Sequence, residues 1–228
     1  DIFNYDELRS FCEKIFNMGV SPTFVCELKI DGIASSLTYN KGFFTLGSTR
    51  GDGQVGENIT ENLKTVNDIP KVLDHDLDIE VRGEVYMKRS VLDYLNDERK
   101  NKGVDLFKNC RNAAGGSLRQ LDPNITKERK LSNFCYTLVN PEKYDIHNQT
   151  DALKFMADHG FSINNHYKLC NTVDEIIEYL EYWKEERKKL DYDTDGVVIK
   201  VNEIDDYEKI GYTVITKEKQ LTSRRKTV

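Results

Sequence analysis

The sequence predicts an α+β fold of largely antiparallel sheets flanked by helices. Two observations carry that expectation. Strand-like and helix-like stretches are interleaved without a regular strand–helix–strand alternation. The clearest link between two strands is a tight turn, Asn40-Lys41-Gly42, which joins antiparallel neighbours.

The elements follow in order. Residues 5–18 place Leu8, Phe11, Cys12, Ile15 and Phe16 at helical spacing behind Asn4, which can cap a helix. Thr23–Ile30 is strand-like, and Ile33–Tyr39 alternates apolar and polar residues. After the turn, Phe43–Thr49 returns as a strand. Asp78–Met87 predicts another strand, Ser90–Lys100 and Asn112–Leu121 helices, Leu131–Val139 a strand and Asp151–Asp158 a short helix. A longer helix is predicted from Val173 to Lys189. Thr172 caps it, Glu175 completes a capping box, and Val173, Ile176, Ile177, Leu180 and Trp183 form its buried stripe. Asp195–Asn202 is the final predicted strand, followed by a short helix to about Ile210. Thr213–Val228 carries three Lys and two Arg against one Glu, with little apolar periodicity. The expected organisation is one domain over residues 1–213 and a loose, divergent basic tail over 214–228.

Composition narrows the class. With 38% hydrophobic and 10% aromatic residues, the chain is too apolar to stay disordered. Its apolar runs are only a few residues long, so no bilayer span and no secretory leader are expected. Cys12, Cys26, Cys110, Cys135 and Cys170 form no Cys-x-x-Cys pair. An odd, scattered set suits reduced thiols in a cytoplasmic compartment and argues against zinc. A net charge of -6 argues against a general polyanion-binding surface. A monomer is expected.

Five segments carry candidate chemistry. In Glu27-Leu28-Lys29-Ile30-Asp31-Gly32, strand periodicity puts Glu27, Lys29 and Asp31 on one face. The pattern suits a solvated strand face, or a lysine nucleophile flanked by carboxylates. Carboxylates favour the protonated amine, so attack would need burial, other cations or a metal ion nearby. Thr49-Arg50-Gly51-Asp52-Gly53-Gln54-Val55-Gly56 is an ordinary turn or a loop that approaches a ligand closely, with a helix over Glu57–Leu63 offering N–H groups to an anion. In Glu80-Val81-Arg82-Gly83-Glu84-Val85-Tyr86, the even-numbered residues share a face that suits solvent or a polar cleft, and Gly83 suggests a close approach by backbone or ligand. The run from Asn109 to Gln120 sets Arg111 and Arg119 around small residues, for tight packing or phosphate contact. Around Asp193-Thr194-Asp195-Gly196, Lys200 sits in an apolar strand where it needs an anion or must reach solvent. Arg187 continues the stripe ending at Trp183 and suggests an inward anion contact or a helix-terminal ion pair. The four histidines read as surface or loop residues.

Taken together, these segments resemble the adenylation domain of bacterial NAD-dependent DNA ligases, over roughly residues 1–213. E-L-K-I-D-G resembles the nucleotidyltransferase lysine motif. T-R-G-D-G, E-V-R-G-E-V-Y, the Asn109–Pro123 run and D-T-D-G-V-V-I-K-V-N resemble later motifs of that family. The resemblance implies the nucleotidyltransferase (ATP-grasp-like) core of DNA ligases. It implies NAD and Mg²⁺ as cofactors, and NAD or AMP and nicked double-stranded DNA as partners, the DNA held weakly by this chain alone. Lys29 corresponds to the lysine that becomes adenylated, and Asp31 to the carboxylate assisting it. Glu27 corresponds to the residue reading the adenine amino group, and Tyr136 to the ring stacked on adenine. Arg50 and Glu84 correspond to nucleotide contacts, Glu84 near the ribose. Arg111, Arg119 and Arg187 correspond to arginines near the phosphates or the nick. Asp195 and Lys200 belong to the late motif, Lys200 near the α-phosphate.

The family pattern is not followed throughout. The chain is expected to begin at the first helix of the adenylation domain, without the family's nicotinamide-recognition, OB-fold, zinc, helix-hairpin-helix and BRCT portions. Val214–Val228 does not match the family's next strand. Cys110 stands where proline is usual and Gly115 where alanine is usual. A truncated or degenerate relative that binds nucleotide or a partner without sealing DNA is therefore the alternative reading. An ATP-using ligase or capping enzyme is a third.

Overall fold

A computed structural model of the chain describes residues 4–50, 56–210 and 220–221. Helix α1 (Tyr5–Phe16) starts at Asn4, whose side chain accepts from the Glu7 N–H. Its buried face is Leu8, Cys12 and Ile15, while Phe16 at its end is exposed. Fully burying residues such as Leu8 and Ile15 contributes roughly 1.5–3 kcal/mol each.

Strand β1 (Phe24–Ile30) runs through the middle of one sheet, and β2 (Ile33–Asn40) and β3 (Phe43–Thr49) form a hairpin in another. At the hairpin turn Lys41 and Gly42 both have positive φ, 48° and 79°, the two-residue turn whose twist matches antiparallel strands. Only glycine fits the second position, since a Cβ there would lie 2.5 Å from the His75 carbonyl oxygen.

The helix expected over 57–63 is shorter. Glu57 and Ile59 hydrogen-bond back to Thr49 and Gly47 of β3, so residues 57–59 stay out of the helix, and α2 (Thr60–Leu63) begins only after them. Residues 51–55 of the glycine-rich loop lie outside the described residues.

Strand β4 (Ile79–Tyr86) pairs with β2, and α3 (Arg89–Asn101) and α4 (Cys110–Leu118) follow. Asn109 caps α4 through the Asn112 N–H, which puts Cys110 at the first helical position, where proline is well accommodated. Gly115 packs on Ile33, and a Cβ there would stand 3.2 Å from its Cδ1, so an alanine would need only a small shift. Helix α5 (Pro123–Glu128) has no counterpart in the sequence expectations. Strand β5 (Ser132–Leu138) borders β4, and α6 (Gln149–Asp158) follows.

Strand β6 (Lys168–Cys170), unanticipated and only three residues long, borders β1. Helix α7 (Val173–Glu186) is capped by Thr172 as expected. Its buried residues are Ile176, Tyr179 and Trp183; Val173, Ile177 and Leu180 pack at the margin, because the stripe turns toward Tyr179. Strand β7 (Thr194–Val201) pairs with β1, α8 (Tyr207–Ile210) follows, and β8 (Gln220–Leu221) pairs with Val197 and Val198. Thus β7 is not the last strand. Apart from these two residues, the expected basic tail over 214–228 lies outside the described residues.

The sheet orders are β6-β1-β7-β8 and β3-β2-β4-β5, antiparallel throughout. Two core clusters lie against the sheets, and each takes in a residue of the other sheet, Val25 of β1 in one and Tyr86 of β4 in the other. One packs β2, β4 and β5 against α4 and α6 through residues such as Leu37, Val81, Leu118 and Met156. The other packs β1 and β7 against α1 and α7 through Phe24, Leu28, Ile199 and Trp183. The site lies between the sheets.

Candidate functional site at the meeting of the two sheets

Strand β1 sorts its side chains by parity. Phe24, Cys26, Leu28 and Ile30 enter the core under α1 and α7, so Glu27 and Lys29 project from the other face. Both line a pocket with Glu84, Tyr136, Val198 and Lys200. The expected polar face holds for Glu27 and Lys29 as a cleft wall, while Asp31 lies past the end of β1 and does not line the pocket.

Two ion pairs bridge β1 and β7. Glu27 stands opposite Val198, and Lys200 opposite Val25, so Glu27 and Lys200 are diagonal neighbours. Lys200 Nζ lies 2.9 Å from Glu27 Oε2, and the side chains are 16% and 11% exposed. Further along, Lys29 faces Gly196 and Ile30 faces Thr194, leaving Asp195 as the extra residue of a bulge. Asp195 Oδ2 receives the Lys29 ammonium at 3.1 Å. Lys200, expected beside the α-phosphate, pairs here with Glu27, and its ammonium lies 5.3 Å from the centre of the Tyr136 ring. The diagonal register dictates that partner.

The opposite wall comes from β4 and β5. Gly83 faces Cys135 and Arg82 faces Thr137, so Tyr136 is the bulged residue, which re-aims its ring into the cleft. The close approach expected at Gly83 is by backbone: a Cβ there would lie 2.1 Å from the Phe134 carbonyl oxygen. The Tyr136 hydroxyl donates to Glu84 Oε2 at 3.4 Å. Burial pushes the Glu84 carboxyl up to about 7, against the lowering effects of the Gly32 N–H, the Arg111 guanidinium and the Tyr136 hydroxyl. Gly32 makes that contact by close approach, since a Cβ on it would sit 2.3 Å from the Val85 carbonyl oxygen and 3.0 Å from Glu84 Cγ.

The remaining expected residues do not line this pocket. Asp31 Oδ1 receives Arg111 Nη1 at 3.2 Å at the mouth of the site. Arg119 pairs with Glu57 at 3.1 Å, and both are well exposed. Arg50 is exposed, and its backbone N–H donates to the Ala34 carbonyl. The helix leading to Arg187 is shorter than expected. Helix α7 ends at Glu186, so Arg187 begins a 3-10 turn, and its guanidinium donates to the Thr194 carbonyl at 3.4 Å rather than to a side-chain anion.

Sequence reasoning missed two residues. Gln149 is 6% exposed; its Nε2 donates to Glu27 Oε2 at 3.1 Å and to the Tyr136 carbonyl at 2.9 Å. Arg89 holds the approach to Asp195, with Nε 2.7 Å from Asp193 Oδ1 and Nη1 2.9 Å from the Leu190 carbonyl. Both act across more than a hundred positions of sequence, and no local pattern announces that.

The site offers one oxygen of the kind a magnesium ion takes. Asp195 Oδ1 is buried and takes no hydrogen bond, which leaves a hard oxygen donor beside Lys29. Among the described residues no group of three or more His, Cys, Asp or Glu could hold a metal ion. Mg²⁺ needs no such cage, because it retains waters and takes one or two carboxylates together with substrate phosphates.

Residues 1–218 match the NAD-dependent DNA ligase adenylation domain family. A DNA ligase of Bacillus cytotoxicus is 47% identical over 213 residues, covering 92% of this chain and 32% of that protein. A DNA ligase of Acholeplasma laidlawii is 46% identical over 213 residues, covering 93% of this chain and 32% of that protein. The chain thus spans about a third of the length of the curated relatives it matches. Among solved structures, the ATP-dependent DNA ligase of bacteriophage T7 in complex with ATP aligns at a TM-score of 0.44 with 12% identity, over 86% of this chain and 60% of that one.

Proposed function

The chain belongs to the NAD-dependent DNA ligase adenylation domain family, and from that premise we propose that it performs the self-adenylation step of ligation. Lys29 Nζ, once it has shed a proton, attacks the adenylyl phosphorus of NAD. A P–N bond forms, the P–O bond to nicotinamide mononucleotide breaks, and that nucleotide leaves as its phosphate. The observation that carries this reading is the shared pocket. Lys29 lies on one wall with Glu27 and Lys200, and faces Glu84 and Tyr136 on the other.

Each residue has a part that its surroundings support. Asp195 holds the Lys29 ammonium in register and is the near acceptor for the proton it must lose. The Tyr136 ring offers a flat face to adenine. Glu27 and Lys200 present an acceptor and a donor at the base end of the pocket. Glu84 faces the ribose, and Arg50, Arg111, Arg119 and Arg187 serve the phosphates. Asp31, paired with Arg111, orients that arginine toward the reacting phosphate. Mg²⁺ bound through Asp195 would offset charge on the phosphoryl oxygens.

In the longer protein, the AMP would pass to the 5′-phosphate of a nick, and the 3′-hydroxyl would displace it. This chain alone holds nicked DNA weakly, in line with its net charge of -6. Five free, buried cysteines suit a reducing, cytoplasmic setting, and the chain acts as a monomer.

The test is to incubate the chain with Mg²⁺ and NAD labelled in its adenylate portion and to map the label. Label on Lys29, absent from Lys29→Ala, is the expected result. Label from ATP and not from NAD would reassign the nucleotide donor. No label from either, with the fold intact, would leave a nucleotide-binding relative without the chemistry.

A further inference from the structure

The Glu27 carboxylate is held asymmetrically. Its Oε2 takes two donors, Lys200 Nζ at 2.9 Å and Gln149 Nε2 at 3.1 Å. Among the described residues no donor meets Oε1. Glu27 is 8% exposed and lines the pocket, and Oε1 is not among the fully buried polar atoms that lack a partner, so its open side is left to the pocket. An oxygen presented this way accepts from an amine and repels a carbonyl.

Gln149 is fixed as firmly as the group it holds. It is the first residue of α6, behind the capping side chain of Asn148. Its own N–H donates to the Asn202 carbonyl at 2.8 Å, and the next N–H, that of Thr150, donates to Asn202 Oδ1 at 3.0 Å. Asn202 directly follows β7, the strand that carries Lys200. The second hydrogen of the Gln149 amide nitrogen goes to the Tyr136 carbonyl. One buried amide therefore ties the acceptor on β1 to the bulge on β5 that aims the ring.

We propose that Gln149 is a positioning residue for base selection, holding Glu27 so that Oε1 faces the pocket as an acceptor for a purine 6-amino group and against a 6-oxo group. The inference rests on the reading of this pocket as a nucleotide site, and adds the residue that sets its discrimination. Lys200 alone cannot fix the carboxylate plane, because a flexible ammonium is a point charge. The amide donor supplies the second constraint.

The experiment measures AMP and IMP binding to the full chain by calorimetry, in the wild type and in Gln149→Met, which keeps length and volume and lacks the donor. Wild type is expected to prefer AMP by at least about tenfold, as a site built to hydrogen-bond one group rejects the analogue. Gln149→Met is expected to lose about tenfold in AMP affinity, with IMP changed little, so that the ratio collapses toward one. Parallel weakening of both nucleotides would mean a structural role only and would overturn the proposal, as would an unchanged ratio. A wild type that binds AMP and IMP equally overturns it without touching the nucleotide site itself. A wild type that binds neither sinks the site and this inference together. Should Gln149→Met not fold, Gln149→Asn, whose amide falls one carbon short of Glu27, carries the same expectation.

Discussion

Lys200 Nζ lies 2.9 Å from Glu27 Oε2 across the β1–β7 ladder, both side chains mostly buried, at 16% and 11% exposure. Removing one partner strands the other charge, and that costs more than the pair contributes. Lys200→Met is expected to lower stability by about 2–4 kcal/mol, and the double variant Lys200→Met, Glu27→Gln by clearly less than the sum of the single changes. Urea denaturation of the four proteins measures the coupling. Additive effects would show that the ion pair is not formed in solution.

Glu84 provides a pH test. Burial raises its carboxyl to about 7, so it is protonated below that pH and ionised above. If the ionised form is the working one, the Lys29 labelling rate rises with pH through an inflection near 7, and Glu84→Gln removes the inflection and lowers the plateau. The stability sign is opposite. A folded-state value above the unfolded one adds stability that is present at low pH and is lost as pH rises toward 7. Chemical denaturation between pH 5 and 8, wild type against Glu84→Gln, isolates that slope.

Gly32 tolerates no Cβ. In Gly32→Ala the methyl would lie 2.3 Å from the Val85 carbonyl oxygen, so β2 or β4 must move. A loss of about 1–3 kcal/mol is expected, read from the urea midpoint. The Glu84 inflection should also shift, because the Gly32 N–H that favours its ionised form moves with the backbone. An unchanged pH profile would show that this contact does not tune the carboxyl.

Asp195→Asn keeps shape and removes the charge opposite Lys29. That pair is 25% and 35% exposed, so the stability change should stay within about 1 kcal/mol. The labelling rate is expected to fall at least tenfold, the loss about 1.4 kcal/mol of barrier would give. Full-rate labelling by Asp195→Asn would remove Asp195 from the reaction.

Local pattern made most elements legible. Asn4, Asn40-Lys41-Gly42 and Thr172 announce the start of α1, the hairpin and the start of α7, because caps and tight turns act within a few residues. Strand parity likewise put Glu27 and Lys29 on one face. What escaped was long-range. β6 is too short to show a period, and residues 57–59 read as helical until β3 claims their backbone. That Lys200 meets Glu27 follows from register, which a single strand does not reveal. Gln149 and Arg89 contact partners 122 and 104 positions away, and nothing in their neighbourhoods marks them.

The pocket's two walls belong to separate ladders, each resting mainly on its own oily interior. The gauge between them is kept by a few seams, among them the glycine after Asp31 and the asparagine closing β7. Seams of that kind loosen before ladders melt. Gentle heating should therefore silence the chemistry while the far-ultraviolet spectrum still looks native, and a nucleotide clasped by both walls should bring the two temperatures together.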